Sequence, residues 1–587
     1  MKAHKYSIWL LLIPTIVLTM AIRTGVSYGQ TTVVVTYPGP TGISAATDRI
    51  VTVNENPVFV YNTAVNFNRT YSTNPVLETT PVAYFDFCGE VTINVIVPGV
   101  KIGMVTIRPL ALGIKPIING DTISFLLSNP AKLTIEINNN LHRALHLFAN
   151  KLNLNPPLEG DPGVIYFGPG VHNAGSIQVG NDKTVYIAGG AVVYGWIKAM
   201  NMQNVKIVGR GILDGSIYSR WPNAVVPIDF EHCQNVTVDG ILILDPAGWT
   251  LNTYFCDRVT INDVKIISAR SNGDGITTQS CTNVTATDCF VRGWDDNLVV
   301  KGYGGTVPGY AYGNVKNVIF DNMILWTDLA QSCEIGYETR ADTMQNITFK
   351  NITVLHNFHK PVMSIHNSDE AVVTDVHYDN VTVEDAEMGQ GDGSKLLIDL
   401  FIGTSVWSQS SERGKIRNVT FNNIRVLGGN FPPSRIQGFD QSHDIENVSI
   451  NNLYLFGTLI SNASTGGFSI NQYVQNVSFG TDTGIETNSS DESGPRNFLL
   501  AQNYPNPFNP STTILYEIPE ATRVTLQIYN ELGQRIAILV DGIFRAGQYG
   551  VVWNGRDTLG MQVPSGIYFY RLQVGSLFAT RKMLLLK

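Results

Sequence analysis

One short phrase restarts eight times through the middle of the chain: NVKIVGRGIL at 204, NVTVDGILIL at 235, RVTINDVKII at 258, NVTATDCFV at 283, NVIFDNMIL at 317, NITFKNITV at 346, NVTFNNIRV at 418 and NVSINNLYL at 447. Each copy is two short runs of alternating β-branched residues joined by Asn, Asp or Gly. Successive copies begin 23–34 residues apart, with one longer gap between 346 and 418. A unit of this size cannot bury its own apolar face. Copies must therefore stack, like residue over like, at about the 4.8 Å strand spacing. The pattern predicts an all-β chain whose residues 156–480 form a right-handed parallel β-helix. The hairpins of an antiparallel sandwich would not restart the same Asn-Val-Thr phrase at the same point of each unit.

The flanks lack this period. Residues 30–155 alternate in strand fashion, as in VTINVIV and KLTIEIN, with turns such as NGD at 119–121, and read as a β-sandwich of immunoglobulin-like size. The Pro-rich NLNPPLEGDPG joins it to the helix. After the coils, 481–496 has the Ser, Asp and Gly content of a linker, and 497–587 forms a last module. Residues 1–29 begin with Lys2, Lys5 and an apolar run and finish on small residues, the layout of a secretory signal peptide. A membrane anchor is the alternative, disfavoured because the run is short and Pro14 interrupts it. No later stretch is long and apolar enough to span, so no transmembrane segment is expected once the leader is removed.

Charged residues make up 15% of the chain and the net charge is −8, a balance that argues against a nucleic-acid partner. The six cysteines fit neither a disulfide framework nor paired zinc spacing. They read as small buried fillers, with Cys281 and Cys289 a weak candidate pair.

Against this apolar background, GWDDNLVVKG (293–302) sets two carboxylates side by side in an apparent buried strand. A plain strand would bury one of them at high cost. Asp274, in SNGDGITT, precedes Asp295 and Asp296 by 21 and 22 residues, about one coil, so the three should share a face. Gly293 and Trp294 permit a bend that lets both aspartates face solvent. Three clustered carboxylates cannot all ionise freely, so one can hold a proton near neutral pH. That suits glycoside hydrolysis, in which one carboxylic acid protonates the leaving oxygen and a carboxylate activates water. A gap of about 6.5–9.5 Å between them predicts inversion. A calcium site or a solvated loop remains an alternative. The acid/base scheme itself needs neither cofactor nor metal.

Trp294, Tyr303, Trp326 and Tyr337 are candidate platforms for sugar rings, packing in the core or at the rim being the alternative. Glu334 and Glu338, one coil beyond the pair, could line a subsite. His356, His359 and His366 share no metal-ligand spacing, and His366 is the best subsite candidate among them. GQGDGSK (389–395) reads as a flexible loop.

Two resemblances sharpen this reading. Asn272, Asp274 and Gly275, followed by Asp295, Asp296 and Lys301, give N-x-D-G and then D-D-x-x-x-x-K. On these residues the stretch 160–480 resembles the polygalacturonase-like clan of β-helix glycosidases, which includes polygalacturonases (family 28) and dextranases and isopullulanases (family 49). The resemblance implies Asp295 as general acid, Asp274 and Asp296 as the pair that positions and deprotonates water, and Asn272 and Lys301 as substrate contacts. GRGILDGS at 209–216 also resembles an early turn of the clan, though Asp214 can equally hold that turn alone. The G-H-G histidine and R-I-K of polygalacturonases are missing: LAQSCEIGYET (329–339) and KPVMSIHN (360–367) stand where they would fall. A uronate would lose its charge-assisted partner, so the resemblance leans to the dextranase side. The second resemblance is in the last module. NYPNPFNP at 503–510, the later W-N-G-x-D and P-S-G-I-Y, and the terminal RKMLLLK resemble the C-terminal sorting domain of the type IX secretion system. A carbohydrate-binding sandwich is the alternative there.

The expectation is a secreted or surface-attached monomer, exported through the periplasm with the type IX machinery as partner, that hydrolyses a polysaccharide. Polygalacturonase-type hydrolysis and a passive carbohydrate-binding β-helix are the competing readings.

Overall fold

The computed structural model describes residues 32–72, 74–220, 223–303, 312–481 and 498–586; the expected leader and nearly all of the expected linker lie outside them. From Val164 to Gly480 the strands join one continuous ladder that winds as a parallel β-helix with three faces.

Face one carries the repeated phrase, in strands such as Gln234–Asp239, Asp257–Asn262, Thr282–Thr287 and Thr343–Asn357. Face two runs through Ile212–Asp214, Leu242–Leu244, Lys265–Ile267 and Phe290–Gly293. Face three runs through Leu251–Tyr254, Ile276–Gln279, Leu298–Gly302, Cys333–Thr339, Met363–Asn367, Ile398–Ile402 and Ser434–Gln437.

The leading Asn of the phrase has a physical reason. Asn204, Asn235, Asn283, Asn317, Asn346, Asn418 and Asn447 all sit at φ between 52° and 59°, the left-handed corner that Asn tolerates better than most residues. Their amides then stack: Asn235 donates to Asn204 at 2.6 Å, Asn346 to Asn317 at 2.7 Å and Asn447 to Asn418 at 3.1 Å. The long gap in the repeat is filled by a coil at Val372–Val383 in which Asp375, φ 56°, takes the Asn position and accepts from Asn418 at 3.1 Å. Inside, Phe320, Phe349, Tyr378 and Phe421 stack with centroids 4.9–5.1 Å apart, one ring per coil. Each such buried ring contributes about 1.5–3 kcal/mol of transfer free energy.

Residues 33–151 form a sandwich of a six-stranded and a five-stranded sheet around one apolar core. It packs on the outside of face two, where Tyr61, Val82, Tyr84 and Phe148 meet Ile212, Leu242, Ile267, Phe290 and Trp326. Polar pairs are sealed into the same seam. Arg292 reaches His146 at 2.9 Å and Asp328 at 3.2 Å, and Lys132 reaches Asp263 at 2.9 Å.

Leu499–Leu585 forms two further antiparallel sheets. Its motifs are core features: Trp553 packs on Phe508 and Tyr568, at 5.7 and 5.2 Å, and donates its indole N–H to the Arg556 carbonyl at 2.8 Å. All six cysteines are buried, and Cys281 and Cys289 are not bridged. No helix among the described residues is long and apolar enough to cross a membrane.

Candidate active site

The paired aspartates do not interrupt a strand; they make a corner. Face two ends at Gly293, face three begins at Leu298, and residues 294–297 turn between them. Gly293 is required there, since a Cβ would lie 2.3 Å from Asn297 Oδ1. Asn297 in turn fastens the corner to the next coil, donating to Trp326 O at 3.1 Å and Thr327 Oγ1 at 2.9 Å. Ile276 pairs with Leu298, which sets Asp274 one coil from Asp296 and in register with it. The coils touch closely, and a Cβ on Gly275 would meet Asn297 O at 2.4 Å.

Asp295 is half-buried and the most open of the three. Its Oδ2 accepts the Asn272 N–H at 2.7 Å and its Oδ1 accepts the Asp296 N–H at 3.1 Å. Asn272 therefore acts at the corner through its backbone. Asp274 and Asp296 are 3% and 9% exposed. Asp296 accepts the Gln331 N–H at 3.0 Å, and Lys301 Nζ lies 3.6 Å from Asp274 and 3.3 Å from Glu338. Burial pushes the Asp274 carboxyl up to about 7; Lys301 opposes the rise, and Asp295 and Glu338 add to it. Burial, then Asp295, Asp274 and Glu334, also hold Asp296 well above the usual carboxylate range. The cluster thus keeps a proton near neutrality, and its titration belongs to the group as a whole.

Further along face three the residues are joined in a second network. His366 Nδ1 contacts Glu334 at 2.7 Å and Nε2 contacts Asp399 at 3.0 Å, while Arg435 grips both Asp399 oxygens at 2.8 Å. Burial alone would lower the imidazole, yet Glu334 and Asp399 hold it up to about 9. Tyr337 lies flat on His366, with centroids 4.2 Å apart and planes 5° apart.

The candidate aromatics divide. Tyr303 and Tyr337 are half-buried on face three. Trp294 and Trp326 are not available to a sugar: Trp294 is 2% exposed and donates to Asn68 O at 3.1 Å, and Trp326 is fully buried against Arg292, His146 and His356. The reason is the sandwich, which covers the face they point to. His356 belongs to the same seam, held by Glu136 at 2.6 Å and Asp385 at 3.0 Å. The 389–395 loop is tied to the sandwich side, Asp392 accepting the Tyr71 N–H at 2.9 Å. Glu334 and His366 are fully buried beneath Tyr337, so they shape the floor of the face and do not open onto it.

Sequence reasoning missed Trp249, which lies one coil before Asp274 and whose ring is 5.0 Å from Lys301 Nζ. The 25-residue spacing of Leu251 and Ile276 carries that signal. Asp399 and Arg435 were also missed, because their partners lie a full coil away in sequence.

Residues 171–437 match glycosyl hydrolases family 28. The chain is similar to an exopolygalacturonase of Zea mays, 24% identical over 253 residues, 39% of this chain and 56% of that protein. It is similar also to a probable polygalacturonase of Arabidopsis thaliana, 22% identical over 237 residues, 36% of this chain and 50% of that protein. The chain spans about half the length of the curated relatives it matches. Among solved structures, Dex49A from Penicillium minioluteum has a TM-score of 0.50 at 15% identity, covering 76% of this chain and 96% of that chain.

The carboxylate corner on a three-faced parallel helix, with the family 28 match over residues 171–437, supports the polygalacturonase-like clan of β-helix glycosidases. Residues 171–437 match family 28, and the overall fold is shared with Dex49A.

Proposed function

We propose that the protein is a secreted inverting glycoside hydrolase that cleaves a neutral α-glucan such as dextran. In this reading Asp295, the carboxyl with access to solvent, protonates the glycosidic oxygen, and Asp274 and Asp296 orient and deprotonate the water. In the single displacement of an inverting enzyme both act together: the proton shared by the cluster leaves through Asp295 as an ionised oxygen of Asp274 or Asp296 takes the proton of the water.

The charge balance of the face carries the choice of a neutral sugar. Six carboxylates, Asp274, Asp295, Asp296, Glu334, Glu338 and Asp399, surround Lys301, His366 and Arg435, and each of these cations is already engaged by a carboxylate. Arg340 is likewise turned to Glu370 at 3.4 Å. A uronate chain would meet net negative charge with these cations already paired, Lys360 at the corner two coils on being the one left to it among the described residues. Hydroxyls of a neutral pyranose need only the hydrogen-bonding oxygens and the rings of Trp249, Tyr303 and Tyr337.

Polygalacturonase-type hydrolysis is the second reading, favoured by the family 28 match across the whole of face three up to Gln437. NMR product analysis on dextran, pullulan and polygalacturonate separates the two. Cleavage of dextran with inversion is expected. Rapid cleavage of polygalacturonate with none of dextran would overturn the neutral-glucan choice, a retained anomer would overturn the mechanism, and binding without cleavage of any chain would favour a passive carbohydrate-binding helix.

A further inference from the structure

Face three continues beyond Tyr337 to a feature that the acid/base chemistry does not use. After strand Ile398–Ile402 the chain makes a short turn in which Trp407 is 53% exposed and Val406 91% exposed. A single exposed apolar residue is ordinary on a protein surface. This one is held in place. The buried Asp369 accepts the N–H groups of Gln409 at 2.6 Å and Ser410 at 2.8 Å, and also that of Thr339 at 3.0 Å. Ser405 Oγ donates to Ser368 Oγ at 3.2 Å, and Ser368 Oγ donates to the Tyr337 carbonyl at 2.6 Å. Within the turn, Trp407 N–H donates to Ser405 Oγ at 3.1 Å. A large amphipathic ring is thus displayed on a turn braced against the backbone that presents Tyr337.

We propose that Trp407 is the platform of a distal sugar-binding subsite, occupied by the same neutral glycan chain whose scissile bond lies at the Asp295 corner. The proposal rests on the hydrolase reading and extends it. Strand register places the support of the turn two coils beyond the corner, through Leu298 with Cys333 and Cys333 with Met363, and the root of the turn one coil further, through Met363 with Ile398. At about 4.8 Å per coil, the turn stands roughly 10–14 Å along the axis from the carboxylates, and because Asp295 precedes the face-three strands while Trp407 follows them, the strand Ile398–Ile402 adds about 13 Å across the face. A pyranose is comparable in length with one coil, so the subsite lies about four sugar residues from the cleaved bond. The exposed ring offers the apolar face that stacks on pyranose C–H groups. The cation beside it, Arg340, is engaged by Glu370 and by the Tyr312 ring at 3.5 Å, and a second, Arg413, is buried and donates to the Ser410 carbonyl at 2.6 Å.

The test uses the full chain and a series of short and long isomalto-oligosaccharides. Trp407→Ala should raise KM for long members by about 5- to 20-fold, leave kcat within about twofold, and leave the shortest members unaffected, while Trp407→Phe retains most of the wild-type KM. Binding of the same series to an Asp295→Asn chain, with and without Trp407→Ala, gives a readout independent of turnover. An identical chain-length dependence in Trp407→Ala and wild type, or an equal loss on short and long members, overturns the subsite. If the wild type cleaves no member, the dextran choice fails separately; a Trp407-dependent preference for long chains in the binding experiment would still uphold the subsite, and its absence there would remove it.

Discussion

Asp295 and Asp296 are neighbours in sequence with opposite surroundings. Asp295 is braced by two backbone N–H groups and reaches solvent, whereas Asp296 is nearly sealed among carboxylates. Replacing Asp295 by Asn keeps the shape and removes the transferable proton. Asp295→Asn should therefore lower kcat by about 10²–10⁴ with unfolding and glycan affinity nearly unchanged; wild-type turnover in clean material would remove Asp295 from the mechanism. Asp274 carries a separate prediction. Its folded-state carboxyl titrates near 7, above the ordinary aspartate value, so between about pH 4 and 7 the native state binds more protons than the unfolded chain. Stability from this group is present below the unfolded value and declines as pH rises through 7, at up to about 1.4 kcal/mol per pH unit. Asp274→Asn should flatten that decline and be relatively more stable at pH 8 in urea titrations, even as it loses activity. A steeper decline in the variant would refute the assignment.

At the scale of elements, the Asn ladder of face one is the device that keeps the coils in register. Asn346 has φ 55° and donates along the stack to Asn317 at 2.7 Å. Asn346→Ala loses that bond and the tolerance of Asn for the left-handed region, so it should destabilise by about 1–3 kcal/mol; Asn346→Gly, with no Cβ to strain there, should lose less. Chemical denaturation of both variants checks the order, and equal losses would mean that the corner is not strained. The same ladder explains how much was legible beforehand. The helix could be read because one Asn-Val phrase marks each coil, and the Asp274 to Asp296 register followed because one coil is 22 residues there. The coil at 372–383 was hidden because Asp375 replaces the Asn. Trp294 and Trp326 read as sugar platforms because a period of side chains tells inside from outside but not which outside face another domain covers. The Glu334–His366–Asp399–Arg435 network was invisible for a related reason: its partners are 32–36 residues apart, joined only when coils stack.

At the scale of the whole molecule, three bodies of strand are joined with unequal seams. Sandwich and helix share a continuous apolar cluster and several buried ion pairs, and the sandwich closes face two while leaving face three to the substrate. These two should therefore unfold together. The C-terminal sheets touch the rest of the described chain through a much smaller contact. Leu515 packs near Val33, Cys88 and Leu152, and Gln548 donates to Leu152 O at 3.3 Å. That contact lies on the sandwich, away from the Asp295 corner and from Trp407. Deleting residues 497–587 should then leave kcat/KM of the purified protein within about twofold, since a surface contact of this kind contributes little to a core it does not enter. The same deletion should strand the protein in the periplasm of the producing cell, because the NYPNPFNP, W-N-G-x-D and P-S-G-I-Y segments resemble an export address; in the structure they supply Phe508, Trp553 and Tyr568 to the core of that module alone. Activity assays on the purified truncation and fractionation of the cells separate the two roles. Normal surface display of the truncated chain would refute the address, and a large loss of kcat/KM in a well-folded truncation would mean that the module supports catalysis through the sandwich.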